Sequence, residues 1–147
     1  RGLGDVYKRQ KSNLATVKIK NAIKESESVI SLFDVKTPNT NTLATALSGG
    51  NQQKFVVGRE LEDDPSLLIA SQPTRGIDIG AQSLIWEKLR ESRDNGLAVL
   101  LISADLEELI GLSDRIIVFY QGSMVKELNS ANLSPEDLGG YMTGLKK

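Results

Sequence analysis

The residues best suited to chemistry in this chain run from Leu47 to Lys54, Leu-Ser-Gly-Gly-Asn-Gln-Gln-Lys. They stand between a Thr/Asn/Pro-rich segment, Thr37 to Thr45, and an apolar helical pattern carried by Phe55, Val56 and Leu61. That position makes Ser48 a helix start, with Gly49 and Gly50 in the first turn. Glycine inside a helix costs about 1 kcal/mol against alanine, so two in a row are a poor way to stabilise one. They are a good way to let another group approach the backbone. The N–H groups at a helix N-terminus, aligned with the helix dipole, hold anions, and phosphate is the usual one. An ordinary serine cap with a loose first turn explains Ser-Gly-Gly equally well, but the full eight-residue string is more specific.

Two more polar stretches each follow an aliphatic run. Ser71-Gln72-Pro73-Thr74 and Arg75-Gly76-Ile77-Asp78 come after Leu67 to Ala70, and Ser103-Ala104-Asp105 comes after Leu97 to Ile102. Read singly, the first is a polar turn from strand to helix. The second is a helix start whose acidic residues suit the dipole.

The elements that must position these stretches are legible from periodicity. From Val17 to Phe33, Ile19, Ala22, Ile23, Ile30 and Phe33 recur near helical spacing among Lys and Glu, predicting an amphipathic helix. Pro38 and the Asn/Thr cluster form a loop into Ser48, and the next helix runs to about Glu62, where Asp63-Asp64-Pro65 stops it. Leu67 to Ala70 and Leu97 to Ile102 predict buried parallel strands. The helix between them carries Ala81, Ile85 and Leu89 on one face and ends at Asn95-Gly96. Asp105 to Leu112 predicts a short helix and Ile116 to Tyr120 a third strand. Gln121-Gly122-Ser123 then turns into Met124 to Leu128, a hairpin at the sheet margin. Ser134-Pro135 opens a last helix that Gly139-Gly140 soon weakens. Strand, helix, strand, helix, strand is an α/β pattern with a parallel sheet. Trp86, Phe55 and Met124 are assigned to packing rather than to stacking on a base.

Composition removes whole classes of function. The chain of 147 residues has no cysteine and no histidine, which excludes disulfides, thiolate metal sites, Ser-His-Asp or Cys-His catalysis and the usual zinc sites. A net charge of −1 leaves no electrostatic footprint for nucleic acid. No apolar run approaches the length of a membrane span, so a membrane role must come through a partner.

The order of signature-like helix, aliphatic strand, Pro-Thr-Arg-Gly-Ile-Asp, helix, strand, Ser-Ala-Asp, helix and Ser113-Asp114-Arg115-Ile116 resembles the second half of the nucleotide-binding domain of ATP-binding-cassette (ABC) ATPases. The resemblance covers about Asn13 to Gly144, and the Asn-Gln-Gln form of the string is that of sugar and nucleoside importers. It implies an α/β fold, a partial P-loop NTPase of ABC type, with a helical signature subdomain at residues 11–62 and a parallel-sheet core at residues 63–147. In that family two such domains sandwich ATP and Mg²⁺ head to tail. Ser48, Gly49 and Gly50 would then contact the γ-phosphate of ATP bound to the other domain, with Asn51 and Gln52 flanking them. Asp78 matches the D-loop.

The resemblance also implies weaknesses. Where the family has Asp-Glu before Pro-Thr, this chain has Ser71-Gln72. Ser71, at the Walker B aspartate position, is a weak substitute for the metal role. Gln72, at the catalytic glutamate position, can hold a water but cannot take its proton. Ala104 stands at the switch-histidine position and offers no polar group. The chain contains no Gly-x-x-x-x-Gly-Lys-Ser/Thr loop. Residues 1–10 read as a non-native scar, since Asp5-Val-Tyr-Lys-Arg-Gln10 resembles a translated transposon end, so the chain is expected to be a fragment with its phosphate loop lost upstream.

The function implied is the ATP-binding subunit of an importer for sugars or nucleosides, its own site degenerate and its signature acting in trans. Its expected partners are a second nucleotide-binding domain, the missing N-terminal half of the same chain, together with membrane permease subunits and, indirectly, a solute-binding protein. Its expected place is the cytoplasmic face of the membrane. The alternatives are a soluble ABC ATPase acting on ribosomes or DNA, and a truncated chain that only exposes an interface, with an open apolar sheet edge beside Leu67 to Ala70.

Overall fold

The computed structural model describes residues 19–146; the start of the first predicted helix and the scar reading of residues 1–10 lie outside the described residues. The chain divides into two compact units, one up to Leu68 together with Pro73–Ala98, the other Ile69–Gln72 with Val99–Lys147.

The first unit is helical. Helix α1, Ile19–Leu32, buries Ala22, Ser26 and Val29, and the Ser26 hydroxyl donates back to the Ala22 carbonyl at 2.7 Å, so the polar residue in the core has a partner. A short 3₁₀ turn, Ala44–Ala46, leads to α2, Gly49–Glu62. Helices α1 and α2 meet closely at Gly58, where a Cβ would stand 2.6 Å from Phe33 Cδ2 and 2.7 Å from Val29 Cγ1. Any side chain there would force the two helices apart, which outweighs the modest helix-propensity cost of glycine. Helix α3, Ile79–Asp94, buries the predicted stripe of Ala81, Ile85 and Leu89, and it ends where predicted, with Asn95 as C-cap and Gly96 at φ +101.

Strands β1, Leu67–Ser71, and β2, Ala98–Ile102, pair with each other. Ala98 N–H donates to the Ser66 carbonyl and Gln72 N–H to that of Ile102, so the strands start together and end together and are parallel. The expectation that they are buried is corrected here. Leu67, Ile69, Leu100 and Ile102, on alternate positions, are each half exposed or more. The pair is covered on one face only, whereas a parallel strand normally needs cover on both.

In the second unit, α4 spans Leu106–Leu112, β3 Arg115–Tyr120, β4 Ser123–Asn129 and α5 Pro135–Met142. The predicted third strand does not extend the parallel sheet. β3 pairs antiparallel with β4, Arg115 opposite Asn129 and Tyr120 opposite Ser123, in a separate sheet. The two loop residues, Gln121 at φ 47 and Gly122 at φ 78, form the kind of turn whose twist suits a hairpin. A bulge after Val118 sets Phe119 opposite Met124. Met124 is exposed, against the expectation that it packs. Ile116 and Val118, on the inner face of β3, form this unit's core with Leu109 of α4 and Leu138 of α5. Ser134 caps α5 and Pro135 opens it, as predicted.

Candidate functional site

Ser48 is the N-cap of α2. Its extended backbone (φ −61, ψ 156) turns the side chain back over the first turn, where Oγ accepts from Asn51 N–H. The N–H groups of Gly49 and Gly50 fall in that first turn, where a helix offers no acceptor of its own. The two glycines face different ways. Gly49 is exposed, and the nearest atom to a Cβ built there is the Gly76 carbonyl at 3.9 Å. Gly50 is buried, with Asp78 Oδ2 and the Ala81 Cβ directly against it.

Asn51 is tied on both sides: Nδ2 donates to Ser48 Oγ at 3.0 Å, and Oδ1 accepts from Lys36 N–H at 2.8 Å. Gln52 Nε2 donates to the Leu47 carbonyl at 2.9 Å, so its amide secures the chain entering the helix. Asp78 caps α3, its Oδ1 accepting from Ala81 N–H at 2.9 Å. That cap was open to sequence reading, since an Asp before Ile79-Gly-Ala81 is a standard helix start. The approach of Gly50 to Asp78, and the bond from Lys36 to Asn51, left no local signal.

The other residues singled out by sequence collect at the carboxyl ends of β1 and β2. Gln72 N–H donates to the Ile102 carbonyl at 2.7 Å, which sets Ser71 and Gln72 beside the segment Ser103-Ala104-Asp105. Ser71 and Ala104 are exposed. Gln72 takes φ 51, a left-handed conformation that costs a non-glycine residue about 1 kcal/mol or more. Asp105, the carboxylate of this group, caps α4 by accepting from Glu108 N–H at 3.0 Å. Among the described residues no group of three or more carboxylates, histidines or cysteines could hold a metal ion.

No family model matches the chain. Its sequence is 46% identical over 142 residues to the guanosine import ATP-binding protein NupO of Bacillus subtilis (strain 168), covering 97% of this chain and 28% of that protein. It is 46% identical over 121 residues to the glucose import ATP-binding protein TsgD13 of Haloferax volcanii, covering 81% of this chain and 22% of that protein. It is 39% identical over 120 residues to the ribose import ATP-binding protein RbsA of Shigella dysenteriae serotype 1, covering 82% and 24%. The fold agrees with solved ATP-binding cassettes. The chain matches a post-hydrolysis dimer of the cassette MJ0796 with ADP and Pi at TM-score 0.67 and 22% identity, over 82% of this chain and 51% of that one. It matches an inward-facing metal-chelate type ABC transporter at TM-score 0.77 and 16% identity, over 97% and 59%.

The chain belongs to the ATP-binding-cassette ATPases. It spans about a quarter of the length of the curated relatives it matches (28%, 22% and 24%). The cassette's residues fit the two parts of an ATP–Mg²⁺ complex unequally. At Ser48 to Gly50 a hydroxyl, first-turn N–H groups and the exposed, unclashed position of Gly49 suit a phosphate. At the ends of β1 and β2, Ser71, Gln72 and Ala104 bring no carboxylate, and Asp105 is engaged as a helix cap, so those residues do not fit Mg²⁺. Among the described residues, no helix of the cassette is long and apolar enough to cross a membrane.

Proposed function

We propose that this chain works within an importer's ATP-binding subunit as the second of two nucleotide-binding domains. Residues 11–62 form its helical signature subdomain and residues 63–147 its sheet core. Its Ser48 hydroxyl and the N–H groups of Gly49 and Gly50 complete an ATP site whose phosphate loop and metal ligands belong to the other domain. Backbone donors fixed before the reaction stabilise charge on a transferring phosphoryl group without reorganising, and this is the help phosphoryl transfer needs. The observation that carries the reading is the contrast between the two ends: an outward donor face at Gly49, and strand ends at Ser71, Gln72 and Ala104 with no group able to take a proton from water. Asp78 stands at the D-loop position, which in this family joins the two nucleotide sites across the interface between the two domains.

Sugars and nucleosides are the transported classes that the relatives' names support, with guanosine, glucose and ribose among them. The partners are a second nucleotide-binding domain and membrane permease subunits, at the cytoplasmic face of the membrane. ATP turnover of the complete subunit tests this. Replacing the other domain's catalytic glutamate by glutamine is expected to abolish turnover, while Gln72→Glu changes it less than about twofold, because a single restored carboxylate leaves Ser71 and Ala104 as they are. Substantial turnover surviving the first change overturns the asymmetric reading.

A further inference from the structure

Ser48 Oγ is held from two directions by one residue. The backbone N–H of Asn51 reaches it at 3.4 Å and Asn51 Nδ2 at 3.0 Å. Both groups donate, and a hydroxyl oxygen has two acceptor positions. With both filled, what Ser48 has left is its own proton, which must go to an acceptor outside the cap. The amide of Asn51 is itself oriented. Lys36 N–H can only donate, so the atom it meets at 2.8 Å is the amide oxygen, and this turns Nδ2 towards Ser48. Lys36 lies fifteen residues before Asn51, in the connection after α1. That connection is secured by the Lys54 ammonium on the Asp34 carbonyl at 3.3 Å and by Lys36 Nζ on the Asp34 carboxylate at 2.5 Å.

We propose that Asn51 is a positioning residue that makes the Ser48 hydroxyl an obligatory hydrogen-bond donor towards an anionic phosphate oxygen. A serine hydroxyl with an unfilled lone pair can turn that lone pair towards a phosphate and repel it. Here the relay from Lys36 N–H through the Asn51 amide removes this choice, and the Ser48 proton is left to join the first-turn N–H of Gly49 as a donor. The inference rests on the reading that Ser48 meets a nucleotide phosphate.

The test is steady-state ATP turnover of the complete ATP-binding subunit assembled with its permease, with thermal unfolding measured on the same preparations. Ser48→Ala is expected to lower kcat/KM about tenfold or more, the loss of a hydrogen bond to a charged group. Asn51→Asp matches asparagine in size, keeps an oxygen for Lys36 N–H and adds a charge that suits the first turn of a helix. Its melting temperature therefore holds, while the second oxygen captures the Ser48 proton and kcat/KM falls at least as far as in Ser48→Ala. In the Ser48→Ala background, Asn51→Ala is expected to add less than about a twofold further loss, because the two residues act through one bond. Wild-type turnover in Asn51→Asp, or losses that multiply in the double variant, overturns the role of Asn51. No loss in Ser48→Ala alone instead overturns the phosphate reading beneath it, so the two failures are distinct.

Discussion

Gly50 lies against the carboxylate of Asp78 so closely that a Cβ on it would stand 2.7 Å from Oδ2 and 3.0 Å from the Cβ of Ala81. The carboxylate cannot simply swing aside, because its other oxygen caps α3 on Ala81 N–H. The start of α2 and the start of α3 are thereby locked together, and the lock needs a residue without a side chain. Gly49, one position earlier, would meet nothing nearer than the Gly76 carbonyl at 3.9 Å, an ordinary contact, and is under no such demand from its own chain.

The two glycines are therefore expected to fail differently. Gly50→Ala should lower stability by about 1–3 kcal/mol through overpacking, read from urea unfolding. Adding Asp78→Ser, which keeps a capping hydroxyl and removes the second oxygen, should recover part of the loss; the remainder belongs to Ala81. Gly49→Ala should leave stability unchanged or raise it by up to about 1 kcal/mol. Its loss should appear in ATP turnover of the complete subunit, where a methyl group occupies the space a phosphate needs. Equal destabilisation by the two substitutions would contradict this division of roles.

Acid should loosen α5 first at its cap. The Asp137 carboxyl is held below its ordinary value of 3.8, chiefly by the hydrogen bond from Lys146 Nζ at 2.6 Å and then by the Ser134 hydroxyl at 2.9 Å. A depressed carboxylate contributes stability that is fully present above its unfolded value and is lost as pH falls through the folded one. The Asp137 contribution is thus constant at neutral pH and disappears below about pH 4. Lys146, shifted upward by the same pair, loses its contribution only above its ordinary 10.5. Carbon-13 NMR titration should show the Asp137 midpoint moving up towards 3.8 in Lys146→Met; an unmoved midpoint would remove the pair as its cause.

The exposed apolar face of β1 and β2 predicts self-association of the chain when it is alone. Leu67, Ile69, Leu100 and Ile102 are each half exposed or more on neighbouring parallel strands, a contiguous patch of the kind that mediates contact between molecules. Sedimentation of residues 11–147 should show oligomers that grow with concentration. Ile69→Thr with Leu100→Lys should shift them towards monomer with little change in melting temperature, because exposed side chains contribute little to the core. A monomeric wild-type chain with a cooperative transition would refute the prediction.

The features that could be read directly from sequence are those made within one turn. Ser48, Asp105 and Ser134 each cap a helix through a bond to the residue three positions on. The stop at Asn95-Gly96 and the stripe of Ala81, Ile85 and Leu89 are equally local. Such contacts depend on residues a few positions apart, so their pattern survives in the linear string. The hairpin of β3 with β4 was legible too, from the Gln121-Gly122-Ser123 turn between two short strands. That β3 does not extend the β1–β2 sheet, and that one face of the parallel pair is bare, could not be read this way. An aliphatic run such as Leu67 to Ala70 specifies a strand but not what covers it.

By itself the sequence determined a chain of helices and short strands, a serine-capped glycine helix start with the chemistry of an anion site, and neutral residues at Ser71, Gln72 and Ala104. Residue types and short-range spacing carry these properties wherever the chain goes. The tertiary structure decided which glycine faces outward, that Asp78 closes on Gly50, and that Lys36 orients Asn51 and through it Ser48. Those relationships join residues brought together only by packing, and packing depends on the shape of the whole core, which no local pattern encodes.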